Sequence, residues 1–194
     1  MTDPRTRPNH PPAADALAPA HTVDITSTAL DAIRDEAARG YPEEVCGILV
    51  GRERDGRRAI ESAVPVANAR EGNRSRRYLI PADTLRSIER DAAAQGAEIV
   101  GFYHSHPDHP ATPSTYDRDH SWPWYTYVIV AVSRDPALRG FKRLAGAVAG
   151  DVRAWQLAND RMSFVEQEMS EPATPGANQK PAPETSPRNE VFRI

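Results

Sequence analysis

Only one cysteine, Cys46, stands among the 194 residues. A lone thiol cannot close an internal disulfide, and it excludes a zinc site built on two or four cysteines. Any metal here has to be held by histidine and carboxylate. An excess of charge of one sign is also missing: 24 lysines and arginines face 27 acids, leaving a net charge of −3 and a pI near 6.1. Nothing global therefore calls for nucleic acid or an anionic membrane. No apolar run reaches the roughly 18 residues a membrane helix needs, so no such helix is expected. Met1 to His21 has no continuous apolar stretch behind positive charge, so a secretory signal is not expected and the cytoplasm is the expected location.

Hydrophobic residues make up 39%, enough for a core, but the mean hydropathy of −0.61 is low for a wholly compact chain. Proline shows where the surplus polarity lies. Five of the 18 prolines fall within residues 1–21 and five more within residues 170–194. The surrounding residues there are mostly small, polar or charged, too few of them apolar to offset chain entropy. Residues 1–21 and 169–194 are therefore expected to be disordered tails, although Val191–Ile194 is apolar enough to suit a docking motif.

Residues 22–168 read as a single α/β domain. His21–Thr26 alternates like a first strand, and Ser27 is placed to cap a helix over Thr28–Gly40, with Leu30, Ile33 and Ala37 at helical spacing. Val45–Gly51, Arg58–Val66, Arg77–Ile80 and Ala97–Tyr103 read as strands. Pro81–Gln95 reads as a helix opened by Pro81 and closed by Gly96. Tyr125–Val132, Leu144–Ala149, Val152–Leu157 and Ser163–Glu168 add further strands. Neither a strict βαβ alternation nor an all-β pattern results, so a mixed sheet flanked by two helices is expected. Arg70–Arg77 holds four arginines among Glu, Gly, Asn and Ser, and reads as a solvated loop.

The chemically informative stretch is Val100–Asp117. Side chains two apart on a strand point the same way, so His104 and His106 emerge together where the apolar strand ends and Pro107 is expected to stop the ladder. The chain then passes Pro110 and Pro113 to reach Ser114 and Asp117. A serine before a helical turn is a good N-cap and an acid three residues on suits the first turn, so both residues have a purely structural reading. That reading and a metal-binding one are compatible, because capping fixes the direction of the Asp117 carboxylate. Two histidines and one carboxylate form an open tetrahedral zinc set, leaving the fourth position to water.

The run His104, His106, Ser114, Asp117 resembles the JAMM (MPN-plus) metallopeptidase motif, His-x-His-x₇-Ser-x₂-Asp. The upstream Glu44-Val45-Cys46-Gly47 is similar to that family's Glu-x-Cys-Gly, which selects Glu44 over Glu43. The resemblance covers residues from about Thr22 to about Leu157. It implies the JAMM/MPN (cytidine-deaminase-like) fold, Zn²⁺ on His104, His106 and Asp117, Glu44 as the catalytic base, and Ser114 as the donor to the oxyanion. The stretches Tyr103–Ala111 and Trp122–Ala131 look like the compact bacterial Mec-type branch. Only four residues separate Asp117 from Trp122, too few for the long insertion of polyubiquitin-cleaving relatives.

That branch implies hydrolysis after the C-terminal Gly-Gly of a small ubiquitin-like sulfur-carrier protein, releasing cysteine or a short extension. The alternatives are an isopeptidase that removes a ubiquitin-like modifier from lysine, and a non-catalytic scaffold. Cys46 is expected to pack rather than react, while His109 and His120 fall outside the motif. Trp122, Trp124 and Tyr125 suit either a substrate groove or packing over the strand.

Overall fold

The computed structural model describes residues 22–54, 57–134, 143–144 and 146–170. In chain order the elements are β1 (Thr22–Ile25), α1 (Ser27–Gly40), β2 (Cys46–Arg54), β3 (Arg57–Val66), α2 (Ala82–Ala94) and β4 (Glu98–Pro107). There follow α3 (Thr115–His120), β5 (Thr126–Ser133), β6 (Arg143–Leu144), β7 (Ala147–Leu157) and β8 (Phe164–Ser170). The strands form one mixed sheet in the order β5-β4-β2-β3-β1-β8-β7-β6, and β5 also pairs with β7. Pairs β1–β3, β1–β8 and β4–β5 are parallel and the rest antiparallel.

The expected mixed α/β architecture stands, with differences that have local causes. Thr26 rather than Ser27 caps α1: its amide bonds the Ile60 carbonyl, which leaves its hydroxyl to accept from the Ala29 amide. Arg77–Ile80 is not a strand, because the Asn68 side chain bonds both the Arg77 carbonyl and the Leu79 amide and holds the segment as a loop. The ladder runs past both histidines to Pro107, which pairs with Val132 in the parallel neighbour. The missing proline amide is bridged by the next donor, Asp108 N, on the Val132 carbonyl. Gly150 and Asp151 look like a turn in sequence, yet β7 carries them as a bulge opposite β5, joining Ala147–Ala149 to the expected Val152–Leu157 strand, while Leu144 falls in β6. Strand β8 reaches Ser170, two residues into the expected tail; Val191–Ile194 lies outside the described residues.

Two hydrophobic layers sandwich the sheet. Helix α1 buries Ala29, Ile33 and Ala37 against Val23, Leu49, Ile60, Val100, Tyr103 and Val128. On the other face Leu85 and Ile88 of α2 pack with Ile48, Val66, Ile99 and Phe102. Adjacent residues such as Ile48 and Leu49 thus serve opposite layers, as strand periodicity requires. Val100 is an extra residue on β4: Leu49 pairs with Gly101 and Val50 with Ile99. This bulge resets the register, so Phe102 faces the α2 layer, and His104 and His106 follow on that side.

Candidate metal centre

Both histidines sit at the end of β4, His104 1% and His106 8% exposed. Their Nε2 atoms approach to 3.0 Å. The residue between them, Ser105, points away and ties the site's other half in place: its Oγ accepts from Val45 N, and its amide donates to the Val45 carbonyl. Glu44 is thereby fixed two residues before the start of β2, where it is 7% exposed. His106 Nδ1 lies 2.8 Å from the Pro110 carbonyl, an acceptor that places the proton on Nδ1 and frees the Nε2 lone pair. His104 stacks on Tyr78, with ring centroids 4.9 Å apart.

Helix α3 brings the carboxylate. Ser114 is its N-cap in a full capping box, with Asp117 bonding back to the Ser114 amide. Asp117 Oδ2 accepts from both Ser114 N and Ser114 Oγ at 2.7 Å, while Oδ1 lies 3.4 Å from His104 Nε2. His106 Nε2 is 3.7 Å from Asp117 Oδ2.

The ligand atoms of His104, His106 and Asp117 all lie within 4.8 Å of one another. Bonds of about 2.0–2.1 Å to a tetrahedral ion put its donors roughly 3.3 Å apart, close to the separations found here. The set of two imidazoles and one carboxylate fits zinc in chemistry as well. His104 Nδ1 is buried without a hydrogen-bond partner among the described residues.

Electrostatics agree with that composition. Burial lowers the His104 pKa, so its imidazole is neutral and able to donate a lone pair. Burial works the same way on His106, but the Asp117 hydrogen bond and the Pro110 carbonyl reverse it and raise its pKa. Burial also opposes ionisation of Asp117, yet His104, His106 and the Ser114 hydroxyl hold its carboxyl well below the usual carboxylate range. Glu44 is the contrast: burial pushes it up to about 7, with His106 opposing and Asp117 adding to the rise. Two carboxyls in one site are thus driven apart, one fixed as an anion and one poised near neutrality.

The remaining candidates take other places. Cys46 is buried and free, and burial pushes its thiol up to about 12, so it is a packing residue and no thiolate. His120 bonds the Tyr116 carbonyl and stacks on Tyr116. Trp124 lies under the Arg58 guanidinium and edge-on to Tyr125, far from any ligand role. Trp122 is 47% exposed and lines a cavity of about 310 Å³. Its walls include Tyr78, Leu79, Phe102, Tyr116, Asp117 and Tyr127, so an apolar recess opens beside the carboxylate.

Three positions not expected from sequence help build the site: Tyr78 against His104, Asn68 on the Glu44 carbonyl at 3.0 Å, and Asp108. Asp108, at φ 56°, accepts from Tyr41 Oη and Ser133 Oγ, both at 2.8 Å, and so pins the turn after His106. Its place directly after His-x-His-Pro was the one available signal; Asn68 and Tyr78 carried none.

The fold and this constellation define a JAB-type domain. The chain belongs to the prokaryotic homologs of the JAB domain, whose family model matches residues 26–158. It is 40% identical over 107 residues to a desampylase of Haloferax volcanii, covering 55% of this chain and 75% of the relative. A solution structure of a protein from Salinibacter ruber is 38% identical, with a TM-score of 0.56, covering 77% of this chain and 91% of the other. A second, of a protein from Desulfitobacterium hafniense, is similar in fold, with a TM-score of 0.60 at 23% identity over 77% of this chain and 92% of the other. Among the described residues no helix is long and apolar enough to cross a membrane.

Proposed function

We propose that the chain is a zinc-dependent isopeptidase that removes a ubiquitin-like modifier from lysine. The observation that carries this reading is the convergence of His104, His106 and Asp117 beside a buried Glu44 with a pKa near 7. A desampylase, by its name, takes a ubiquitin-like modifier off its conjugates, and the likeness to one favours deconjugation over processing of a Mec-type sulfur carrier. The order of the two readings reached from sequence is therefore reversed, with carrier processing second. Membership of the family with all five motif residues present argues against a scaffold.

In this reading His104, His106 and Asp117 hold Zn²⁺, and the domain spans residues 22–170, two residues more than expected from sequence because β8 pairs with β1 as far as Ser170. When bound, the ion polarises the scissile carbonyl and brings the pKa of water toward about 7. Glu44 accepts the proton released by water as it attacks, then delivers it to the departing lysine amine. Asp117 stays ionised throughout. Ser114 has two tasks that compete: its hydroxyl proton is committed to Asp117 Oδ2, and it has to leave that bond to reach a developing oxyanion. The apolar recess beside Asp117 gives the four methylenes of a substituted lysine, or an apolar residue flanking the bond, a place out of water.

Mass spectrometry decides between the readings. Zinc-loaded chain is incubated with a β-grasp protein joined through Gly-Gly to a lysine ε-amine, and with the same protein carrying a C-terminal cysteine adduct. Cleavage of the first, abolished by a chelator, is expected. Exclusive cleavage of the adduct would restore the sulfur-carrier reading, and cleavage of neither would remove both.

A further inference from the structure

The loop of residues 67–80 between β3 and α2 reads in sequence as solvated arginines, yet it is built as a platform. Asn68 uses its whole side-chain amide: Nδ2 donates to the Glu44 and Arg77 carbonyls at 3.0 and 3.1 Å. Its Oδ1 accepts from Arg70 N and Leu79 N at 3.0 and 3.2 Å. Within the loop Arg74 Nε bonds the Arg70 carbonyl, Ser75 bonds Asn73, and Gly72 turns the chain at φ 87°.

This platform touches the site from two sides. The Arg74 carbonyl accepts from Glu44 N at 2.8 Å. Arg77 lies over the ring of Tyr116, next to Asp117, at 4.8 Å. The loop therefore borders the reaction centre at Glu44 on one side and next to Asp117 on the other.

Its charge is opposite to that of the chain as a whole. Residues 67–80 contain Arg70, Arg74, Arg76 and Arg77 against one acid, Glu71, while the chain carries −3. Arg74, Arg76 and Arg77 are exposed, and the nearest carboxylate to Arg74, from Glu43, is 4.0 Å away. Three exposed guanidiniums on a loop tied down through Asn68, beside a reaction centre, attract a negative surface and screen out a positive one. We propose that this arginine loop is the docking surface for an acidic face of the protein substrate. It rests on the reading that the site acts on a protein.

The test uses the full-length zinc-loaded chain and a fluorescently labelled acidic β-grasp protein ending in free Gly-Gly, with binding followed by anisotropy. Arg74→Glu with Arg76→Glu should weaken binding about tenfold or more at roughly 20 mM salt, and the difference should vanish near 500 mM, where charges are screened within about 4 Å. Arg74→Ala with Arg76→Ala should fall between. A probe with its surface Asp and Glu replaced by Asn and Gln should bind both chains alike. Unchanged binding of the acidic probe, or equal weakening of the neutralised one, overturns the proposal. Arg76→Glu alone, which leaves the Arg74 contact to Glu44 in place, is the control for the chemistry: it should still weaken binding of the acidic probe and should leave unchanged the cleavage of a short uncharged Gly-Gly isopeptide. If that cleavage falls in parallel with binding, the loop acts only by holding Glu44, and the docking role is lost. Charge-dependent binding with no isopeptide cleaved would leave docking in place and remove the isopeptidase reading.

Discussion

Ser114 and Asp117 close a reciprocal clasp over one helical turn: Ser114 Oγ accepts from Asp117 N and donates to Asp117 Oδ2, which also accepts from Ser114 N. One carboxylate oxygen is spent on the cap, and the other is left facing His104. Capping is thus the means by which the third ligand is aimed, and helix stability and metal geometry are joined in one side chain.

The clasp separates into its parts by substitution. Ser114→Ala should cost about 1 kcal/mol of stability and slow turnover. Ser114→Asn restores a capping acceptor without a hydroxyl, and Ser114→Thr restores both. Thermal unfolding and kcat measured across the three should diverge, with Asn recovering stability only. If kcat recovers with Asn, the hydroxyl has no chemical role.

His104→Ala should release zinc, read as metal per chain by elemental analysis of protein equilibrated with excess Zn²⁺ and desalted. Asp117→Asn should do the same more weakly, since the amide keeps a neutral oxygen on α3. Stoichiometric zinc in the His104 variant would dismiss the ligand set.

Glu44→Gln should retain zinc while turnover falls by about 10²–10⁴, the usual contribution of a positioned acid or base. A fully active variant would leave the proton-transfer role without an owner.

The same substitution makes a pH prediction for the chelator-treated protein. In the fold Glu44 titrates near 7, above its ordinary 4.5, so the folded state holds its proton more tightly than the unfolded chain. Stability from this group is present below about pH 4.5 and is lost as pH rises toward 7. Glutamine mimics the neutral acid and escapes that loss. The stability of Glu44→Gln relative to the original should therefore grow by about 2–3 kcal/mol between pH 4.5 and 8. Urea unfolding at several pH values reads this directly, and a difference flat in pH would show a solvated carboxyl.

Gly101→Ala tests the frame on which the histidines stand. A Cβ there runs into the Thr126 backbone carbonyl, across the β4–β5 pairing that ends at His106 and Pro107. Neither backbone can yield without opening the ladder, so a cost of about 3 kcal/mol, roughly 6–12 °C in Tm, is expected. An unchanged Tm would mean that the two strands are not held this close.

Much of the molecule could be read from local pattern, because local physics decides it. Strand and helix periods around Ile33, Ile48, Leu85 and Val128 placed the elements, and Ser114 and Asp117 announced a capped turn. The two-residue spacing of His104 and His106 put both imidazoles on one face. Misreadings came where distant partners intervene. Asn68 turned Arg77–Ile80 from strand to loop, a parallel neighbour carried β4 through Pro107, and the Ile60 ladder moved the α1 cap to Thr26.

By itself the sequence determined the ligand types and their spacing, since a lone cysteine leaves only histidine and carboxylate to hold a metal and strand geometry pairs the histidines. It did not determine which face of the sheet they occupy, which depends on a one-residue bulge at Val100 visible only against β2. Nor did it settle the state of Glu44, an ordinary carboxyl in sequence that burial beside Asp117 pushes up to about 7. Both depend on contacts between segments far apart in the chain, and only folding brings those segments together.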